Sequence, residues 1–156
     1  MACDPWTAIA EATAADAPDL AALHGACFRD GWSASAFERF LADAGCSAWR
    51  AGRRHSEALA GFVMVRAAAD EAEILTLAVA EELRRRGLGA ALVERAATCL
   101  GRGATGRLLL EVGQDNLAAR GLYAACGFRT VGSRDGYYRE GGEDALIMER
   151  QFGAED

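Results

Sequence analysis

The chain has 156 residues, 51% hydrophobic and 26% charged, with a net charge of −6, which fits one domain spanning 1–156 with its own core and gives no general attraction for nucleic acid. No apolar run approaches the ~20 residues of a membrane span, so no membrane partner is expected. There is no lysine, which excludes Schiff-base and pyridoxal phosphate chemistry and the G-x-x-x-x-G-K-S/T phosphate loop.

The first sixteen residues, MACDPWTAIAEATAAD, carry neither a basic region nor a continuous apolar stretch, so a cytoplasmic location is expected. Within them TAIAEAT reads as a first strand. DAPDLAALHGACF follows as a helix opening at Asp16 or Ala17, with Pro18 tolerated in its first turn. SASAFERFLADA is a second helix, with Ser35 and Glu38 spaced as a capping box and Phe37, Phe40 and Leu41 on one face. CSAWRAG and EALAGFVMVRAA are consecutive strands. EAEILTLAVA is a third, apolar enough to be buried on both faces.

The RRRGLG turn comes next, then a helix with Leu88, Leu92, Ala96 and Cys99 or Leu100 on one stripe. GRLLLEVG is a short buried strand. NLAARGLYAACG is a helix capped by Asp115 or Asn116 and ended by Gly127. FRTVGSRDGYYRE and EDALIMERQF are closing strands joined by a turn containing two glycines. The order βααβββαβαββ predicts an α/β fold: a mixed sheet with helices on both faces and one parallel crossover unit.

Five cysteines (Cys3, Cys27, Cys46, Cys99, Cys126) are scattered without a C-x-x-C pair, which suits reduced thiols. The only histidines are His24 and His55, so no metal site is expected. His24 and Cys27 stand three apart, where a helix brings them together; a nucleophile–base pair is conceivable, and ordinary packing is the commoner cause.

RRRGLG, residues 84–89, is the most informative stretch. A helix N-terminus offers unpaired N–H groups and about half a positive charge. Gly87 and Gly89 let an anion reach those donors, and Arg84, Arg85 and Arg86 add charge. This is a candidate pyrophosphate cradle, against the plainer reading of a solvated basic turn. A dinucleotide fold is the natural rival, since Glu111 lies about twenty residues further on. Against it, Leu92 stands where the third glycine of G-x-G-x-x-G belongs. AEELRRR also separates the strand end at Val79 from Gly87, whereas that fingerprint follows its strand directly.

LAVAEELRRRGLGAAL resembles the central motif of the GNAT superfamily of acyl-CoA N-acyltransferases: a buried strand, a short loop, then R-x-x-G-x-G opening a helix. LEVGQDNLAARGLYAACGF looks like the next strand and helix of that fold. With GYY, EDALIM and the earlier GWSASAF, it is similar to the bacterial ribosomal-protein alanine N-acetyltransferases (RimI). The resemblance runs from about residue 16 to residue 150. It implies acetyl-CoA as co-substrate, no metal, and two parallel strands that splay apart to admit pantetheine. Leu77, Ala78 and Val79 would line the splay, with the Val79 N–H donating to the thioester carbonyl. The backbone from Arg85 through Gly87, Leu88 and Gly89 to Ala90 would bind pyrophosphate.

Glu111, alone among apolar neighbours in LLLEVG, reads as an edge glutamate without context. The resemblance makes it the general base, and partial burial makes a carboxylate a better base near neutral pH. Tyr123 reads as a core residue; the resemblance makes it the acid that protonates the departing thiolate. Asn116 is a helix cap, a pantetheine ligand, or both. Tyr137 and Tyr138 alternate faces on a strand, so one of them can wall the acceptor groove. Glu143 and Asp144 can steer a cationic acceptor, or simply be solvated. The implied acceptor is a protein N-terminus, an alanine α-amine of a basic ribosomal protein. Alternatives are a small-molecule amine, a lysine side chain, or a non-catalytic acyl-CoA sensor lacking acid–base chemistry. The presence of both Glu111 and Tyr123 weighs against the sensor.

Overall fold

Among the described residues, a continuously apolar central strand flanked by alternating ones builds one seven-stranded sheet, ordered β1-β2-β3-β4-β5-β7-β6. A computed structural model describes residues 4–138 and 143–153; of residues 135–138 and 143 it describes the backbone alone. The strands are β1 (Ala10–Glu11), β2 (Cys46–Gly52), β3 (Leu59–Ala68), β4 (Glu71–Val79), β5 (Arg107–Gly113), β6 (Arg129–Tyr138) and β7 (Glu143–Gln151). The helices are α1 (Ala17–Cys27), α2 (Ala34–Ala42), α3 (Leu88–Gly101) and α4 (Leu117–Ala125).

All neighbouring strands are antiparallel except β4 and β5, which α3 joins as a parallel crossover. Helices cover both faces, as the element order predicts. His24 of α1 and Phe37 of α2 pack their rings on Phe62 of β3. A Cβ on the adjacent Gly61, which points the other way, would meet Leu88 and Leu92 of α3 at 3.0 and 3.1 Å. Gly61 thus lets α3 lie close on the sheet. Burying Phe37 completely stabilises the fold by about 1.5–3 kcal/mol.

Four local expectations are corrected. The first strand shortens to Ala10–Glu11, because a turn of 3-10 helix over Ala14–Asp16 already begins the descent into α1. The cap of α2 is Ser33, whose hydroxyl accepts the Ala36 N–H at 3.1 Å; Ser35 lies inside the helix, where its hydroxyl accepts from Arg39 instead. The buried stripe of α3 is Leu88, Leu92, Val93, Ala96 and Ala97, with Cys99 and Leu100 only half-buried. Strand β4 is not buried on both faces: its pattern alternates, leaving Glu73 exposed and Leu75, Leu77 and Val79 half-buried. Its register against β3 slips one residue at Leu75, with Met64 opposite Thr76 and Val65 opposite Ile74. That bulge re-aims the end of the strand. The turn between β6 and β7 lies outside the described residues.

Candidate active site

The parallel pairing of β4 with β5 stops early. It covers Glu71↔Arg107, Ala72↔Leu108 and Glu73↔Leu109, yet β4 runs on to Val79 and β5 to Gly113. Beyond Glu73 and Leu109 the two strands diverge, and a gap opens between backbone edges that would otherwise pair.

Alternation along antiparallel ladders identifies the groups facing this gap. The Ala80 N–H donates to Ala60 C=O of the segment before Gly61 at 2.8 Å, so Ala80 and Ala78 turn their backbone toward β3. Leu77 and Val79 turn theirs toward the gap. On β5, the Gln114 N–H bonds Asp144 C=O at 2.8 Å, which turns Gln114 and Val112 toward β7 and leaves Glu111 and Gly113 facing the gap. Of the three residues expected to line the splay, Leu77 and Val79 present backbone groups to it, whereas those of Ala78 are committed to β3.

The glycine turn lies at the open end of the gap. Gly87 is the N-cap of α3, with φ of 96°, a left-handed conformation that costs a residue with a Cβ roughly 1 kcal/mol or more. The first backbone bond of α3 runs from Ala91 N–H to Gly87 C=O, so the amides of Leu88, Gly89 and Ala90 lack intrahelical acceptors. No side chain caps them. Three bare amides at the positive end of a 14-residue helix suit a pyrophosphate. Gly89 has a further reason to be glycine: a Cβ there would lie 3.2 Å from Leu122 of α4 and 3.8 Å from Val79. The arginines divide. Arg85, at φ 64°, and Arg86 are exposed beside the cradle. Arg84 folds back, its Nε donating to the Val79 C=O at 2.9 Å.

Glu111 sits midway along the gap edge of β5, half-buried and opposite Ile147 of β7. Its carboxylate meets Arg134 Nη2 at 2.8 Å. Arg134, on β6, reaches across β7, where its register partner is the small Ala145. Glu111 and Arg134 share a hollow of about 340 Å³ with Arg66, Glu71, Glu73 and Ile147, room for an acceptor segment on the sheet face opposite α3.

Tyr123 lies on α4, only 7% exposed, with its ring packed edge-on to Phe128. Burial, and then the neighbouring Cys126, push its pKa up to about 12; the phenol therefore stays protonated and acts as a donor. Asn116 caps α4, its Oδ1 accepting the Ala119 N–H at 3.2 Å. Gly127 ends the helix with φ of 91°, as its position predicts. Tyr137 and Tyr138 lie on β6, but their side chains fall outside the described residues, as does that of Glu143. Asp144 lies in β7 and accepts from Gln114 through its carbonyl.

His24 and Cys27 do not form a catalytic pair. The Nδ1 of His24 accepts the Trp32 N–H at 3.0 Å while its ring stacks on Phe28 and Trp32. Burial lowers its pKa. The Cys27 thiol instead donates to Val79 C=O at 3.5 Å. Among the described residues, no cluster of three or more His, Cys, Asp or Glu side chains could hold a metal ion, and no helix is long and apolar enough to cross a membrane. Nothing near Glu111 in the chain points to Arg134, because their strands are brought together only by the sheet; the contact of Arg84 with Val79 is local, and depends on the turn of 3-10 helix between them.

A family model described as the acetyltransferase (GNAT) family matches residues 17–128. The N-alpha-acetyltransferase RimI of Mycobacterium tuberculosis is 37% identical over 147 residues, covering 90% of both chains. The ribosomal protein bS18-alanine N-acetyltransferase of Escherichia coli is 38% identical over 92 residues, 58% of this chain. The crystal structure of the Escherichia coli ribosomal-protein-alanine N-acetyltransferase matches with a TM-score of 0.85 at 27% identity, covering 96% of each chain. The match spans less than two thirds of some curated relatives: 62% of the Escherichia coli protein and 39% of a Mycobacterium leprae protein.

Proposed function

Because this chain belongs to the GNAT acetyltransferase family, we propose that it transfers the acetyl group of acetyl-CoA to a protein N-terminal α-amine in the cytoplasm, the acceptor being the N-terminal alanine of a ribosomal protein. The observation that carries this is the splay of β4 from β5 beyond Glu73 and Leu109, with bare helix amides at its mouth and a carboxylate on its edge. The names of the relatives from Mycobacterium tuberculosis and Escherichia coli support the acceptor class.

Acetyl-CoA supplies an activated acyl carbon on a good leaving group. The amides of Leu88, Gly89 and Ala90, with Arg85 and Arg86, bind the pyrophosphate. Leu77 and Val79 hold the pantetheine arm along β4, and Asn116 borders it from the cap of α4. Glu111 takes a proton from the acceptor ammonium, leaving the nitrogen lone pair free to form the new C–N bond. The Val79 N–H stabilises the negative charge that develops on the acyl oxygen. Tyr123 donates a hydrogen bond to the sulfur as the C–S bond breaks. Its pKa, about 12, is well above the ~8.5 of a thiol, so the phenol keeps its proton and stabilises the thiolate, and the proton that leaves the acceptor nitrogen as the amide forms neutralises the sulfur.

An α-amine suits a site with a single carboxylate base. Its pKa is near 8, against about 10.4 for lysine, so deprotonating lysine at neutral pH costs on the order of 3 kcal/mol more. The net charge of −6 favours a basic acceptor segment. Mass spectrometry after incubation with acetyl-CoA tests the assignment on two peptides of one basic sequence. One has a free N-terminal alanine, and the other is blocked there and carries an internal lysine. Acetylation of the first alone is expected; equal or greater acetylation of the second overturns the α-amine acceptor.

A further inference from the structure

The end of β4 that carries the Val79 N–H has a strand neighbour on one side only. β3 pairs with it through Gly61↔Val79, and on the β5 side pairing ends at Glu73. A strand end with one unpaired edge frays, and a donor on it loses its aim. Two side chains meet this edge at a single atom. The Arg84 Nε donates to the Val79 C=O at 2.9 Å, and the Cys27 thiol donates to the same oxygen at 3.5 Å. Arg84 Nη2 also lies 3.5 Å from Cys27 Sγ, tying the clamp to the end of α1.

We infer that Arg84 is a positioning residue: it takes the place of the missing strand neighbour and holds Val79 in the orientation that acyl transfer needs, without contributing to the phosphate cradle. The chain order makes this possible. A turn of 3-10 helix over Glu81–Leu83 reverses the backbone immediately after Val79, so a side chain five residues on reaches back to the Val79 carbonyl. Arg85 and Arg86, next in sequence, are left to meet the anion. The role requires an N–H at one place and not a positive charge. Glutamine carries its amide nitrogen the same number of bonds from Cα as the Nε of arginine, so it can make this bond without charge; methionine has similar length and no donor.

The inference rests on the acetyl-CoA reading of the site, and two measurements separate the two claims. In the protein without ligand, amide hydrogen exchange at Ala78 and Ala80, whose backbone bonds to β3 flank Val79, should be faster in Arg84→Met and restored in Arg84→Gln. In turnover, Arg84→Met should lose about tenfold in kcat with little change in KM for acetyl-CoA, less than the hundredfold or more that follows outright loss of an oxyanion donor. Arg84→Gln should recover most of that kcat. Arg86→Ala should instead raise KM for acetyl-CoA, by a factor that shrinks as salt increases. Unchanged exchange in Arg84→Met, or a glutamine variant that behaves like Arg86→Ala, overturns the positioning role. A wild-type protein that does not use acetyl-CoA overturns the functional reading, and the exchange comparison still decides the role of Arg84.

Discussion

The Glu111 carboxylate lies 2.8 Å from the guanidinium of Arg134, so the base of the proposed reaction is already paired with a cation before an acceptor arrives. The arginine side chain is 55% exposed and the glutamate 22%. Such a pair is worth only about 0–1 kcal/mol, little enough for an incoming ammonium to displace it. The acceptor amine and Arg134 therefore compete for one carboxylate. Arg134→Ala should lower KM for a cationic acceptor by roughly two- to fivefold at low ionic strength, an advantage that shrinks as salt rises. Steady-state kinetics at two salt concentrations check this; a higher acceptor KM in the variant would make Arg134 part of the acceptor-binding surface.

Tyr123 should be separable from the fold. Tyr123→Phe keeps the ring and its edge-on contact with Phe128, so its melting temperature should stay close to that of the wild type. Its kcat should fall, because the substitution removes the hydroxyl that donates to the departing thiolate. With the phenol held at about 12, the wild-type pH–rate profile should show no descending limb from this residue below about pH 11. A loss of activity that tracks a pKa near 10 would show that the hydroxyl is solvated during turnover.

Histidine 24 gives the fold a pH dependence in a defined window. Burial lowers the pKa of His24 from its ordinary 6.5, and its unprotonated Nδ1 accepts the Trp32 N–H. The unfolded chain therefore binds a proton near pH 6.5 that the folded chain refuses. The stability this gives is complete above pH ~6.5 and is lost as pH falls toward the lower folded value, by at most about 1.4 kcal/mol per unit. Glu149, whose pKa is lowered by its hydrogen bond from Arg107, loses its contribution only below about pH 4.5. Urea midpoints between pH 7 and 5 isolate the histidine. They should fall with pH in the wild type and stay flatter in His24→Gln.

Most of the fold could be read from the chain because its signals are local. Strand β2 begins at Cys46 and ends at Gly52 as the segment CSAWRAG predicts. The Gly127 stop of α4 follows from residue type alone, and its cap, Asn116, is one of the two residues, Asp115 and Asn116, that residue type allows. The glycine turn was legible for the same reason, since Gly87 and Gly89 mark the start of α3, although the left-handed conformation of Gly87 appears only in the structure. What was illegible is long-range or depends on fine geometry. The capping-box spacing of Ser35 and Glu38 points to the wrong serine for the start of α2, because the extended φ and ψ that make Ser33 the cap leave no mark in the sequence. The slip at Leu75 breaks no sequence pattern, yet it sets which faces of Leu77 and Val79 reach the gap. Gly89 looks like an opening for a ligand, and its missing Cβ also makes room for Leu122. The partner of Glu111 lies on β6, two strands away, and nothing near Glu111 in the chain names Arg134.

The central claim is that Glu111, on the free edge of β5, removes the proton that keeps the acceptor amine from attacking. Single-turnover acetylation of an alanine-initiated peptide by Glu111→Gln, beside calorimetric titration of coenzyme A, tests it most directly. Glutamine preserves the shape and the half-buried position and loses only the basicity. The rate should fall by roughly a hundredfold or more while coenzyme A affinity stays within about twofold of the wild type. A glutamine variant that acetylates the peptide at the wild-type rate would contradict the account and make Glu111 simply the partner of Arg134.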